Sequence, residues 1–248
     1  MGIGDDLMSA GEARAIHART GHKALIQRAD RRAYWNPVWD GVPYILRDQR
    51  GDPQYQTLIS GGGPRPYIEA KSPGKWTWRP YTPLPAEIRF TDDELAFAEP
   101  WRGYVMVEPN GKAIGHSNKL WAFDRWMMLA AWAKVPLVQC GPPGARRLPA
   151  ATYVPTMTFR QAAAVLSVSR AFIGGDGSLH HAAAAVGTPA VVIRGGFISH
   201  KVTGYASHKN LFTGSGLGCG MRTDCPHCRK AMQAITVDMV QDALKEIL

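Results

Sequence analysis

The sequence predicts an α/β protein with a parallel sheet covered on both faces, and three observations in its second half carry that prediction. From about residue 103 onward, short β-rich runs alternate with helical patterns. Capping boxes mark helix starts, and a glycine-rich turn leads from a strand into a helix of small residues. Together they describe a Rossmann-like nucleotide domain.

Strands are expected at residues 104–108, 136–139, 171–173 and 189–193, with helices at about 118–134, 158–169, 178–186 and 236–247. Thr158 with Gln161, and Thr91 with Glu94, have capping-box spacing, in which side chains satisfy free amides at a helix start. The first part of the chain is less regular. A helical pattern covers residues 5–19, with Leu7, Met8, Ala10, Ala15 and Ile16 on one face, and an apolar strand follows at 24–27. Residues 34–81 are aromatic and loop-rich, and the glycine and proline run at 61–66 is a turn by composition. These differences divide the chain into a first lobe, residues 1–99, and a second, residues 100–248. No repeat of about 20 to 50 residues is present, which excludes solenoids and propellers.

With 45% hydrophobic and 20% charged residues, the chain has the composition of a folded globular protein rather than a disordered one. Its longest apolar runs, such as 190–193 and 127–133, fall far short of the roughly 20 residues that span a bilayer. The N-terminus opens on glycines and two aspartates instead of a basic region and an apolar run, so a cytoplasmic location is expected. A net charge of +9 favours polyanionic partners: nucleotide sugars, anionic lipid surfaces or nucleic acid.

The turn Gly174-Gly175-Asp176-Gly177-Ser178 precedes His180, His181 and four alanines. Amides and the positive end of a helix dipole converge at such a turn and suit a diphosphate, although a tight turn packed by alanines would look the same. Asp176 with His181 resembles the Asp-x-Gly-x-x-His-x-x-Ala-Ala signature of glycosyltransferase family 9, the ADP-heptose:lipopolysaccharide heptosyltransferases. Gly177 and Ser178 stand in exchanged order relative to the usual pattern. Three further segments resemble the family in the same order. Gly2 to Leu7 matches its Gly-x-Gly-Asp-x-Leu motif, residues 107–110 and 117–121 its donor-side strand and loop, and Cys219 to Leu248 its cysteine-bearing loop and last helix.

The resemblance implies a GT-B-like fold of two Rossmann-like lobes, the first one reduced, and an inverting, metal-independent transfer from a nucleoside-diphosphate sugar. Asp5 would be the catalytic base. Lys119, with Asn118, Ser117, Gly175, Asp176, Gly177, Ser178 and His181, would bind the donor. No cofactor and no metal at this site are implied. The residues themselves also allow plainer roles: Asp5 as a first-turn carboxylate, Lys119 as a solvated side chain, His181 as a hydrogen-bonded core residue and Asp176 as a cap.

Two departures from the family stand out. Only residues 1–3 stand where family members have a strand, and the first lobe is small. The expected acceptor is therefore a glycan such as lipopolysaccharide, or another polyanion such as hydroxymethylated DNA. Arg28, Arg31, Arg32, Arg65, Lys71, Lys75 and Arg79 interleave with Trp76, Trp78 and other aromatics, a pattern that neutralises phosphates and stacks on bases or sugars. The alternative is a non-catalytic module that binds a nucleotide sugar or nucleic acid. A dinucleotide oxidoreductase is disfavoured, since no Gly-x-Gly-x-x-Gly joins a strand to a helix. Cys219, Cys225, His227 and Cys228 have suggestive zinc spacing, but they crowd together, and the resemblance implies a loop without an obligatory metal.

Overall fold

Helix α1 (Ile3–Thr20) starts at Gly2, carries Asp5 and Asp6 in its first turn, and stops at Gly21, whose φ of 73° is the left-handed conformation that ends a helix. In the computed structural model, which describes residues 2–48, 54–59, 65–111 and 117–248, this helix buries Leu7, Met8, Ala10, Ala13 and Ile16. The expected helical face is present, shifted to include Ala13, while Ala15 is half-buried.

Behind α1 lies a parallel sheet of three strands in the order β2-β1-β3, with β1 at Lys23–Gln27, β2 at Ile45–Leu46 and β3 at Tyr55–Ile59. An antiparallel hairpin follows, β4 (Ile68–Ser72) and β5 (Lys75–Trp78). Among its described residues, the stretch 34–81, expected to be loop-rich, therefore holds four strands. They are short and mostly half-exposed, so they depend on their partners more than on an apolar pattern of their own. Of the run 61–66, residues 61–64 lie outside the described residues. Helix α2 (Asp92–Ala98) closes this half with the capping box expected at Thr91 and Glu94.

The second half is a six-stranded parallel sheet in the order β11-β10-β9-β6-β7-β8. Its strands are β6 (Val105–Glu108), β7 (Leu137–Gly141), β8 (Thr152–Pro155), β9 (Ala171–Gly175), β10 (Ala190–Gly195) and β11 (His208–Phe212). The strand order reverses between β6 and β9, the pattern of a doubly wound nucleotide fold. The four expected strands are there with ends moved by one or two residues. The two missed ones, β8 and β11, are the sheet edges, where polar side chains blur the pattern.

Around this sheet run α3 (Phe123–Trp132), α4 (Phe159–Val168), α5 (Ser178–Val186), α6 (His200–Thr203), α7 (Pro226–Ala234) and α8 (Val237–Lys245). The helix expected at 118–134 begins only at Phe123, and Ser117–Lys119 is a separate 3-10 turn. Trp121 explains the break: its buried indole donates to Ile235 O at 2.9 Å, which draws the chain out of helical register.

One apolar cluster joins both halves, with Leu7, Ala13 and Trp39 against Ala163 to Leu166, Ala182 and Phe172. Arg160 of α4 reinforces this junction. It donates to both oxygens of Glu94 at 2.6 Å, to Pro37 O at 3.1 Å and to Arg89 O at 2.5 Å. Removing one member of such a buried ion pair costs about 3 kcal/mol. Arg160→Ala should lower the urea-unfolding free energy by that amount, and a loss below about 1 kcal/mol would show that the junction carries little of the stability.

Candidate active site

In a doubly wound sheet, ligands bind outside the carboxyl ends of the strands where the order reverses. Here those ends are Glu108 on β6 and Gly175 on β9, and the turn after β9 runs directly into α5. The first amides of α5 have no partners within the helix, so the turn presents donors and a positive dipole end.

Asp176, in that turn, is the centre of a buried polar network. Its carboxylate pairs with Lys119 Nζ through one oxygen. Its other oxygen accepts from Arg194 Nη1 at 2.8 Å and from Thr203 Oγ1 at 3.0 Å. Burial alone would raise the pKa of Asp176, but Lys119 and Arg194 outweigh burial and hold it well below the usual carboxylate range. Lys119 also lies over the Phe197 ring, 4.9 Å from its centre, and its side chain stays 25% exposed. An ammonium has three donors, so the pairing with Asp176 leaves capacity toward an entering anion.

Two buried histidines follow. Burial, with Arg194 adding to it, pushes His180 down to about 4, so it is neutral at pH 7. Its Nδ1 lies 2.6 Å from Gly177 O and its Nε2 3.2 Å from Arg194 Nη2. Gly177 N also donates to Nδ1 at 3.2 Å and Thr203 O lies 3.0 Å from Nε2, so both ring nitrogens are engaged in either neutral tautomer. His181 is also held neutral, chiefly by burial, and its Nδ1 meets Tyr205 Oη at 2.9 Å. Its ring packs against Gly4 of α1. A Cβ on Gly4 would stand 2.8 Å from His181 Cδ2 and 3.8 Å from Ser178 Cα, so only glycine lets α1 approach the start of α5 this closely.

That approach brings in Asp5, the next residue of α1. Its Oδ1 accepts from Tyr67 Oη at 2.5 Å, and its Oδ2 pairs with Arg65 Nη2 at 3.0 Å. Burial and the Asp5 charge push the Tyr67 hydroxyl well up, so it stays a donor. Tyr67 stacks on Trp78, and Trp78 meets Phe197 edge to face. Asp5 and Lys119 thus lie at the two ends of one aromatic stack.

The other sequence-predicted residues fall as follows. Gly175, Gly177 and Ser178 form the turn itself. Ser117 is exposed at the start of the 3-10 turn. Asn118 is buried and fully committed to structure, donating to Met221 O and Thr223 O at 2.7 Å and accepting from Cys225 N at 3.1 Å. Several of the aromatics read as stacking platforms are core residues: Trp39, Tyr67 and Trp78 are buried, while Trp76 is half-buried.

Glu108 and Arg194 received no role from the sequence. Each closes an otherwise apolar strand, and a charge in that place marks a binding crevice. The half-buried Glu108 carboxyl faces Gly177, its Oε2 3.8 Å from where a Cβ of that residue would stand. Burial pushes its pKa up to about 8.

Residues 141–226 match the model of Glycosyltransferase family 9 (heptosyltransferase). No curated protein matches the chain. Among solved structures, the iron-containing dodecameric glycosyltransferase TibC from enterotoxigenic E. coli H10407 is similar over 100% of this chain and 76% of its own, at 15% identity and a TM-score of 0.61. TibC in complex with ADP-D-beta-D-heptose covers 83% of this chain and 64% of its own at 15% identity, with a TM-score of 0.50. A glycosyl transferase family 9 protein from Veillonella parvula DSM 2008 is 14% identical over 66% of this chain, with a TM-score of 0.50, and the chain spans only 53% of that protein's length. The GT-B-like fold and the resemblance to family 9 heptosyltransferases are thus both borne out, the latter over residues 141–226.

Two opposite pH effects follow from the buried groups. His180 at about 4 and His208 at about 3 lie below the ordinary 6.5, so their contribution is present above 6.5 and is lost as pH falls below it. Glu108 is raised from 4.5 to about 8, so its contribution is present below 4.5 and is lost as pH rises through 8. Melting temperature should therefore fall steeply below pH 6, and Glu108→Gln should gain melting temperature over the wild type progressively from pH 5 to pH 8. A constant offset across that range would show that Glu108 titrates normally.

Proposed function

We propose that the chain transfers a sugar from a nucleoside-diphosphate sugar to an acceptor hydroxyl, with inversion and without a metal ion in the transfer step. The observation that supports this reading is the close approach of α1 to α5 at Gly4, since Asp5 is the next residue of α1 and the turn before α5 has the free amides a diphosphate would use. Asp5 removes the acceptor proton as the acceptor oxygen bonds to the anomeric carbon from the face opposite the diphosphate. The bond from that carbon to the β-phosphate oxygen breaks, and the departing negative charge is taken up by Lys119 and the first amides of α5. Asp5 has both oxygens engaged, yet a carboxylate offers about four lone-pair positions and can accept a further hydroxyl.

Asp176 orients Lys119, and Arg194 holds Asp176 in turn. A neutral Glu108 places no charge beside the incoming diphosphate. The likeness to a complex with ADP-D-beta-D-heptose supports an ADP-linked sugar as donor.

Beside Asp5, the half-buried ring of Trp76 has Arg222 at 4.3 Å, Arg65 at 5.5 Å and Lys71 at 5.9 Å. One aromatic face ringed by cations suits the sugar of an anionic glycan. With Tyr67, Trp78 and Trp39 in the core, the successive stacking platforms that a DNA acceptor would use are reduced, so a glycan is the better supported acceptor.

Thermal melts with ADP and other nucleoside diphosphates test the donor side. A selective ligand at about 100 times its Kd should stabilise the protein by roughly 2.7 kcal/mol, and Lys119→Ala should lose most of that shift. Asp5→Asn should keep the shift while transfer falls by about 10²- to 10⁴-fold. Equal transfer by wild type and Asp5→Asn would remove Asp5 as the base. Nucleotide binding with no transfer or hydrolysis would instead mark a non-catalytic binding module.

A further inference from the structure

Away from the transfer site, the start of α7 and the loop before it bring four metal-ligating side chains together. One ligand atom from each of Cys219, Cys225, His227 and Cys228 lies within 4.8 Å of the others. A tetrahedral ion with bonds of about 2.3 Å to sulfur and about 2.0 Å to nitrogen spaces its ligand atoms roughly 3.5 to 3.8 Å apart, so the cluster needs only small adjustments. Cys219 Sγ and Cys225 Sγ are 4.0 Å apart, Cys219 Sγ and Cys228 Sγ 2.8 Å, and all three thiols are free.

The ligands come from two separate elements, which the crowded spacing in sequence conceals. Cys225 caps α7, and Pro226, His227 and Cys228 form its first turn. Cys219 arrives on a loop held between Gly218, with φ of 99°, and Gly220, with φ of 66°. A Cβ on Gly220 would meet Trp76 O at 1.8 Å, and one on Gly218 would meet Phe197 O at 2.5 Å, so this path admits no side chain on either flank of the cysteine. The Met221 amide donates to Cys219 Sγ at 3.5 Å, an outer contact of the kind that orients a thiolate ligand. The His227 ring packs against Gly196, whose added Cβ would stand 3.1 Å from its Cε1.

The same loop touches both halves of the protein. Trp76 N of β5 donates to Gly220 O at 2.9 Å, and Arg222 N donates to Gly74 O at 2.9 Å. On the other side, the Asn118 amide grips Met221 O, Thr223 O and Cys225 N, and Lys119 is the next residue. We propose that Cys219, Cys225, His227 and Cys228 bind one transition-metal ion of the zinc class. This ion is structural: it fixes the 219–228 loop against the β4–β5 hairpin and, through Asn118, positions Lys119. The ion site stands on its own geometry, and only its coupling to Lys119 rests on the donor-site reading above.

The test starts from full-length protein loaded with zinc and desalted into metal-free buffer, with metal content measured by inductively coupled plasma mass spectrometry. About one ion per chain is expected in the wild type and in Cys140→Ser, whose thiol lies apart on β7, and none in Cys225→Ser or Cys228→Ser. Cobalt loading should give a thiolate-to-metal absorption band that the same two variants lack. Iron in place of zinc, at the same stoichiometry and lost in the same variants, would support the site and identify its ion. A wild type that holds no ion, or equal binding by Cys225→Ser and Cys228→Ser, would overturn it, as would a metal-free native chain with Cys219 and Cys228 joined in a disulfide.

The coupling is read from the ADP-induced melting shift, which should shrink on metal removal and shrink alike in Asn118→Ala that still holds its ion. A shift unchanged by both would overturn the positioning role. Absence of any ADP shift in the loaded wild type would sink the donor-site reading alone, and the ion count would still decide the metal site.

Discussion

The architecture of the site depends on one buried carboxylate. Asp176 sits where a negative charge is expensive unless it is matched, and Lys119, Arg194 and Thr203 supply the match from three different places in the chain. The lysine comes from the 3-10 turn after β6, the arginine from β10 and the threonine from α6. By satisfying one charge, the network locks together the turns that face the crevice. It also holds Arg194 buried, an unusual place for a guanidinium, while burial keeps His180 and His181 neutral beside it.

The second constraint is steric. The proposed base, Asp5, and the proposed donor turn come from different halves of the chain, and a transfer reaction would need them held at a fixed separation. The halves are not joined loosely. Glycine at position 4 lets α1 close on α5, the apolar cluster continues from α1 and Trp39 into α4 and α5, and the aromatic stack from Tyr67 to Phe197 links the far side. The geometry between Asp5 and the turn before α5 is therefore a property of the packed core, and a change far from the crevice can disturb it.

The β4–β5 hairpin is built differently. Its strands are exposed on most of their surface, and it is anchored by the buried Ile68 and Trp78, packed with Phe197 and Ile198, together with backbone bonds to the loop that carries Cys219. A cross-link of thiolates and imidazole at that loop, as proposed above, would add to this anchoring.

Much of this was legible in the sequence because the signals were local. Short apolar runs, the capping box at Thr158 and the glycine turn before His180 specified most of the second-half sheet and its helices, as the capping box at Thr91 did for α2. What sequence could not show were roles that exist only through distant partners. Strands β2 to β5 are too short and too exposed to declare themselves without neighbours. Asn118 reads as a ligand by position, but its amide is spent on a loop more than 100 residues away. Glu108 and Arg194 read as strand ends until the sheet order sets them at the crevice. Cys219 reads as crowded against Cys225 and Cys228 until the fold brings it in from a separate loop. In each case the deciding quantity is a tertiary distance, which spacing along the chain does not encode.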